Sequence, residues 1–112
     1  MPIATRIEVG TRPGFKDSRA ASISRQIVDY LGLSVSGVRT RDVYHVVPAL
    51  AEPDAARIAA EFAGPVLRQS AVGRLDDGRF DVAVTVGYKP GVTDPVAKSA
   101  KICIEDLLGR PL

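Results

Sequence analysis

Polar and apolar residues alternate twice along this chain, and each alternation gives way to a helical spacing. From Arg6 to Arg12, Ile7, Val9 and Thr11 point one way and Arg6, Glu8 and Arg12 the other. Further on, Phe80, Val82, Val84, Val86 and Tyr88 line one face more strongly. A period of two predicts a half-buried strand in both places. Ile23, Ile27, Tyr30 and Leu31 then follow at helical spacing after the first strand, and Ala100, Ile104, Leu107 and Leu108 after the second. Pro13-Gly14 and Pro90-Gly91 separate strand from helix. Proline presets φ at the first central position of a turn, and glycine accepts the positive φ of a type II turn at the second. Asp17 and Asp94 sit where a helix N-cap belongs, their carboxylates free to accept from first-turn N–H groups. Pro95 directly after Asp94 favours a helix start, and Gly32 and Gly109 stand where a glycine ends one.

The two stretches are copies. Arg6–Gly32 lies on Ala83–Gly109 without a gap. Val9 then meets Val86, Gly10 meets Gly87, Pro13 and Gly14 meet Pro90 and Gly91, and Asp17 meets Asp94. The match runs on through Ala20 and Ala97, Ser22 and Ser99, Ile27 and Ile104, Asp29 and Asp106, Leu31 and Leu108. A match of this length points to a duplicated strand–turn–helix unit. The Pro-Gly turn before a helix could also cradle an anion. Against this, the capping aspartate already satisfies the free donors and would repel phosphate.

Between the copies, Ser34–Val47 is rich in β-branched residues and reads as strand. Its apolar parity changes: Val38 is even, Val43 and Val47 odd, Tyr44 and Val46 even. That predicts a bulge, a bend or a tight hairpin near Arg41–Asp42. Glu52-Pro53-Asp54 opens a helix with the apolar stripe Ala55, Ile58, Ala59 and Phe62, ended by Gly64-Pro65. Val66–Leu75 is the next expected strand, and Asp77-Gly78 signals a two-residue hairpin into the second copy. In that register Arg74 opposes Asp81, Asp76 opposes Arg79, Leu75 meets Phe80 and Ala71 meets Val84.

Composition narrows the function classes. A length of 112 residues suits one small domain, or one domain and part of another. The formal charge is +2 with the two signs interspersed, which speaks against nucleic acid as a partner. No apolar run approaches the roughly 20 residues of a membrane span. The opening residues lack the apolar stretch of a signal peptide, so a cytoplasmic protein without membrane contact is expected. Cys103 is the only cysteine and reads as a structural thiol on a helix. His45 is the only histidine and lies in a strand, a poor place for an isolated base. Glu105 and Asp106 read as a solvated helix face. No metal cluster, nucleophile elbow or phosphate loop is present in the sequence, so no catalytic, cofactor-binding or metal-ligating residue is assigned.

The order strand, Pro-Gly-x-x-Asp, helix, followed by Val38-Arg39-Thr40-Arg41-Asp42-Val43-Tyr44, resembles the PurS family. PurS is the small subunit of phosphoribosylformylglycinamidine synthase, an amidotransferase of purine biosynthesis. The resemblance is closer still to the PurS-like N-terminal region of the long, fused (PurL-type) enzymes. There Gly91–Val96 and Glu105–Leu112 also find similar phrases. The resemblance covers nearly the whole chain through the order and spacing of its motifs. It implies an α+β fold, an antiparallel sheet with helices on one face. Residues 1–75 would form a complete PurS-like unit and 79–112 a partial second one, a strand and a helix.

The family implies a non-catalytic assembly role. The parent enzyme uses ATP and Mg in a synthetase part and draws ammonia from a glutaminase part. The PurS-like region helps to hold the two together, and separate PurS subunits self-associate. Arg39, Asp42 and Tyr44, where the parity breaks, are the candidate contacts with these partner domains. A different class, a small-molecule sensor of ACT-like architecture binding an effector at the Pro-Gly loops, is the alternative. The second copy stops where the first enters its next strand, so the chain is expected to be a piece of a longer protein. Its uncovered strand predicts self-association, most simply as a two-fold dimer.

Overall fold

The computed structural model describes residues 4–12, 15–64, 68–75, 80–89 and 91–112. The elements are β1 (Thr5–Thr11), α1 (Ser18–Leu31), β2 (Arg41–Val46), α2 (Glu52–Ala63), β3 (Arg68–Val72) and α3 (Pro95–Leu108). β1 is the central strand of a three-stranded sheet, order β2-β1-β3, and pairs antiparallel with both neighbours. The architecture is therefore α+β with an antiparallel sheet.

The two faces of that sheet differ, and the alternation in β1 decides how. Ile7 and Val9 point to one face together with Tyr44 and Val46, their register partners or near neighbours on β2. There they meet Ile58 and Ala59 of α2 and Ile104 of α3, forming the core, with Phe62, Leu107, Leu108 and Leu112 around it. Ile7, Val9 and Ile58 are almost wholly buried, each contributing about 1.5–3 kcal/mol of transfer free energy. Thr5, buried on the same side, accepts the Leu50 N–H with its hydroxyl at 2.8 Å. The end of α3 is tied to α2 by Arg110 and Asp54 at 3.5 Å.

The opposite face is polar and still closed. The Glu8 side chain is only 7% exposed and accepts from Arg6 at 2.6 and 2.9 Å and from the Leu75 N–H at 3.2 Å. Arg41 approaches the same carboxylate at 3.8 Å. Gly10, opposite Arg41 in the register, makes this possible. A Cβ at Gly10 would stand 2.8 Å from the Arg41 guanidinium and 3.3 Å from Leu75. A buried charge is tolerable only when paired and hydrogen-bonded, and Glu8 is both.

Several expectations need correction. No bulge or hairpin occurs at Arg41–Asp42, because β2 is a regular strand from Arg41 to Val46. The parity change has a simpler cause: Val38 precedes the strand and Val47 follows it, while Val43 faces away from Tyr44 and Val46. The strand expected over Val66–Leu75 is the shorter β3, and Val66 and Leu67 lie outside the described residues. Gly73 takes a φ of 93° and donates to the Arg6 carbonyl at 2.7 Å, turning the chain back over the polar face. The Asp77-Gly78 turn lies outside the described residues, but the strand it was to deliver does not pair. Residues 82–89 carry no sheet pairing, and Val82, Val84 and Val86 are 78%, 81% and 90% exposed. The pairing of Ala71 with Val84 is therefore absent.

α1 lies off the core. Its Ala20 is buried, but Tyr30 and Leu31 at the far end of the stripe are open to solvent. The radius of gyration, 15.7 Å, exceeds the roughly 13 Å of a compact chain of this length.

Candidate partner interface

The candidate residues lie at one end of the sheet, where α1 starts. Asp17 takes extended backbone angles and caps α1, accepting from the Ala20 N–H at 2.9 Å. Its second oxygen accepts from the Thr40 hydroxyl at 2.6 Å. One carboxylate thus fastens the helix start to the residue before β2. Burial pushes the Asp17 carboxyl up, but the bonds from Thr40 and Ala20 outweigh it and hold it below the usual range. Asp94 caps α3 in the same way, accepting from the Ala97 N–H at 2.9 Å. Gly32 and Gly109 close the two helices in left-handed conformation, at φ 66° and 69°. Gly91 also has positive φ, 83°. Pro13, Gly14 and Pro90 lie outside the described residues.

Asp42 joins three elements. It accepts from Arg19 of α1 at 3.0 Å and from Arg68 of β3 at 2.7 Å. Burial raises its carboxyl, and the two guanidinium groups more than offset this, so its pKa is lowered. Arg68 is itself fixed by the chain, since its carbonyl accepts from Arg12 at 2.8 Å. Tyr44, two residues on and on the same face of β2, packs its ring on Phe62 with centroids 4.7 Å apart. Burial, helped by the Asp42 charge, raises the Tyr44 phenol. Tyr44 thus adds to the core as well as to the strand's rim.

Arg39 stands apart from this pair. It is exposed and lines a cleft of about 480 Å³ with Arg12, Phe15, Asp17, Ala20 and Arg41. The geometry thus brings Asp42 and Tyr44 onto one face and Arg39 to the mouth of a neighbouring cleft. Sequence reasoning missed Arg19, Thr40 and Arg68, the groups that hold Asp42 and Asp17. Each comes from a distant segment, so local spacing carries no trace of it. Glu8 carried a signal, a lone acid between Ile7 and Val9 in the central strand.

Chemically, this end of the sheet is an arginine-rich surface. Arg12, Arg19, Arg39, Arg41 and Arg68 gather round Asp17 and Asp42. Among the described residues no group of three His, Cys, Asp or Glu side chains could hold a metal ion. Cys103 is half-buried on α3, and His45 is exposed on β2. No described helix is long and apolar enough to cross a membrane.

No family model matches the chain, and no curated protein matches it. Among solved structures it is similar to Thermus thermophilus PurS in the P21 form, at 25% sequence identity and a TM-score of 0.51. The match covers 68% of this chain and 96% of the other. Nearly all of a PurS chain thus finds its counterpart here, and the fold of this protein is PurS-like.

Proposed function

We propose that this chain is a non-catalytic, PurS-like assembly domain of phosphoribosylformylglycinamidine synthase, acting in purine biosynthesis. The observation that carries the proposal is the similarity to PurS over 96% of that protein's length. The face built on Asp42, whose carboxylate accepts from Arg19 and Arg68, supports it, because an assembly surface gains from side chains held in place before the partner arrives. In this reading residues 1–75 are the complete PurS-like unit and 79–112 the start of a second, as in a long, fused enzyme. The partners are the synthetase and glutaminase parts, brought together so that ammonia passes between them. ATP and Mg belong to the synthetase. Arg39, Asp42 and Tyr44, with Arg19 and Arg68 behind them, form the contact surface, which its arginines fit to an acidic patch.

The test is reconstitution with the synthetase and glutaminase of the same organism. Glutamine-dependent ADP release should require this chain and fall with Arg39→Glu, whose own fold is checked by circular dichroism. Release that is indifferent to the chain overturns the proposal. Supplied with substrate, ATP and ammonium, the chain alone should stay at background.

The sensor reading keeps one supporting observation, the cleft lined by Arg12, Phe15 and Arg39. Calorimetry with amino acids and nucleotides separates the two readings. Heat of binding favours the sensor, and silence favours the assembly domain.

A further inference from the structure

The cleft at the start of α1 carries an excess of positive charge. Arg12, Arg39 and Arg41 line it, and Asp17 is the carboxylate among its lining residues. Both Asp17 oxygens are already engaged, one by the Ala20 N–H at 2.9 Å and the other by the Thr40 hydroxyl at 2.6 Å. Arg41 stands 3.8 Å from Glu8 and donates to the Thr40 carbonyl at 2.8 Å, so its charge is largely offset. Arg12 donates its Nε to the Arg68 carbonyl at 2.8 Å. That neutral partner holds the side chain and leaves its charge uncompensated. Arg39 adds a further positive charge at the exposed mouth.

An apolar wall stands beside the guanidinium groups. Phe15 is 48% exposed, Val38 is half-buried, and Ala21 of α1 is small enough to leave room. The volume of about 480 Å³ lies within the roughly 300–1,000 Å³ of a ligand pocket. Asp17 decides which anion fits. It puts a fixed negative charge in the wall and has already capped the helix start. A phosphate group, with about two negative charges, meets that repulsion doubled. A carboxylate carries one charge and matches the fork of a guanidinium group. The apolar wall asks for an apolar side chain next to the acid, which a polypeptide segment supplies.

We infer that this cleft is the anchor point for an acidic side chain of a partner protein, an Asp or Glu next to an apolar residue. The carboxylate lies between Arg12 and Arg39, and its apolar neighbour packs on Phe15 and Val38. The inference rests on the assembly role and narrows it from a face to one cleft, with Asp42 and Tyr44 at the border of the contact.

The test uses the chain reconstituted with the synthetase and glutaminase. Arg39→Lys keeps the charge and places an amine at the cleft. A water-soluble carbodiimide joins amines to carboxylates in contact with them, so it should link residue 39 by an amide bond to an Asp or Glu of a partner protein, identified by mass spectrometry. Arg12→Lys should reach the same acidic residue from the other side. Ala21→Trp fills the cleft without changing charge. It should abolish both links and weaken binding to the partner by about tenfold or more, as should Arg12→Glu. Arg57→Glu, an equal change of charge on α2 outside the cleft, should alter binding by less than about threefold, as a screened distant charge does. Circular dichroism checks the fold of each variant. Links from residues 12 and 39 to carboxylates of this chain alone, no link from either, or links that survive Ala21→Trp overturn the inference. So does displacement of the partner by micromolar ADP, which would make the cleft a nucleotide site. In each of these cases a parent chain that still co-purifies with its partners leaves the assembly role standing. A parent that does not co-purify overturns both.

Discussion

Helices α1 and α3 carry matched sequences, matched aspartate caps and matched terminal glycines, yet only α3 is seated. Ile104 of α3 is 3% exposed in the core, while its counterpart Ile27 is half-buried on a helix with an open stripe. Leu108 packs at the core, while Leu31 is 66% exposed. The reason is room. The outer strands of a three-stranded sheet lie about 10 Å apart, and helices pack at about 8–10 Å spacing. Two helices fill such a face, and α2 is one of them. α3 takes the other place and adds a second anchor, Leu112 on the core and Arg110 on Asp54. Among the described residues α1 shows no such anchor at its far end. It is held at its start, through Asp17 to Thr40 and Arg19 to Asp42. The two helices thus share their caps and their ends without sharing an environment.

The sharpest way to break this comparison is to truncate the two matched isoleucines. Ile104→Ala should destabilise by about 2–5 kcal/mol, since Ile104 is buried in the core cluster with Ile7, Val9 and Ile58. Ile27→Ala should cost about 1 kcal/mol or less, as surface changes do. Urea melts of both variants give the ratio. Equal losses would mean that α1 is seated as firmly as α3.

A smaller difference is expected at the caps. Asp17→Ala removes bonds to both Ala20 and Thr40 and should cost about 1–2 kcal/mol, whereas Asp94→Ala removes the bond to Ala97 and should cost about 0.5–1 kcal/mol. Thr40→Val should bring the parent near the lower figure, because it removes the second Asp17 bond and keeps the cap. Thermal melts that rank the two aspartates the other way would place the weight on α3 instead.

The smallest effect is a change in the acid limb of stability. The Asp17 carboxyl is held below its ordinary value of 3.8 in the folded protein. Its contribution is therefore complete above that value and fades as the pH falls through the lower, folded value. Asp42 and Glu8 act with the same sign. Stability should thus be flat down to about pH 4.5 and decline below it. Asp17→Asn should make that decline shallower, read from urea midpoints at pH 3 and pH 6. An unchanged slope would mean that the Thr40 bond does not favour the ionised form.

Much of the local structure was legible in the sequence. The capping aspartates, the acidic start of α2 and the terminal glycines mark the helices, because backbone angles and unsatisfied N–H and C=O groups are settled within a few residues. The alternation in β1 also foretold which side chains enter the core. The site was legible only in part. Asp42 and Tyr44 stood out beside Arg39, but Arg39 turned out to line a separate cleft, and Tyr44 leans on Phe62.

The sequence by itself determined where the helices begin and end, and which residues of β1 face inward. These follow from local sterics and hydrogen bonding, which act over one turn or one strand. Only the tertiary structure decided that α3 and not α1 covers the sheet, that Asp42 is clasped by Arg19 and Arg68, and that Phe80–Tyr88 is left unpaired. These outcomes depend on competition for a single sheet face and on contacts between residues far apart in the chain. Two copies of one phrase hold the same local instructions, and the limited area of a three-stranded sheet lets only one of their helices be buried.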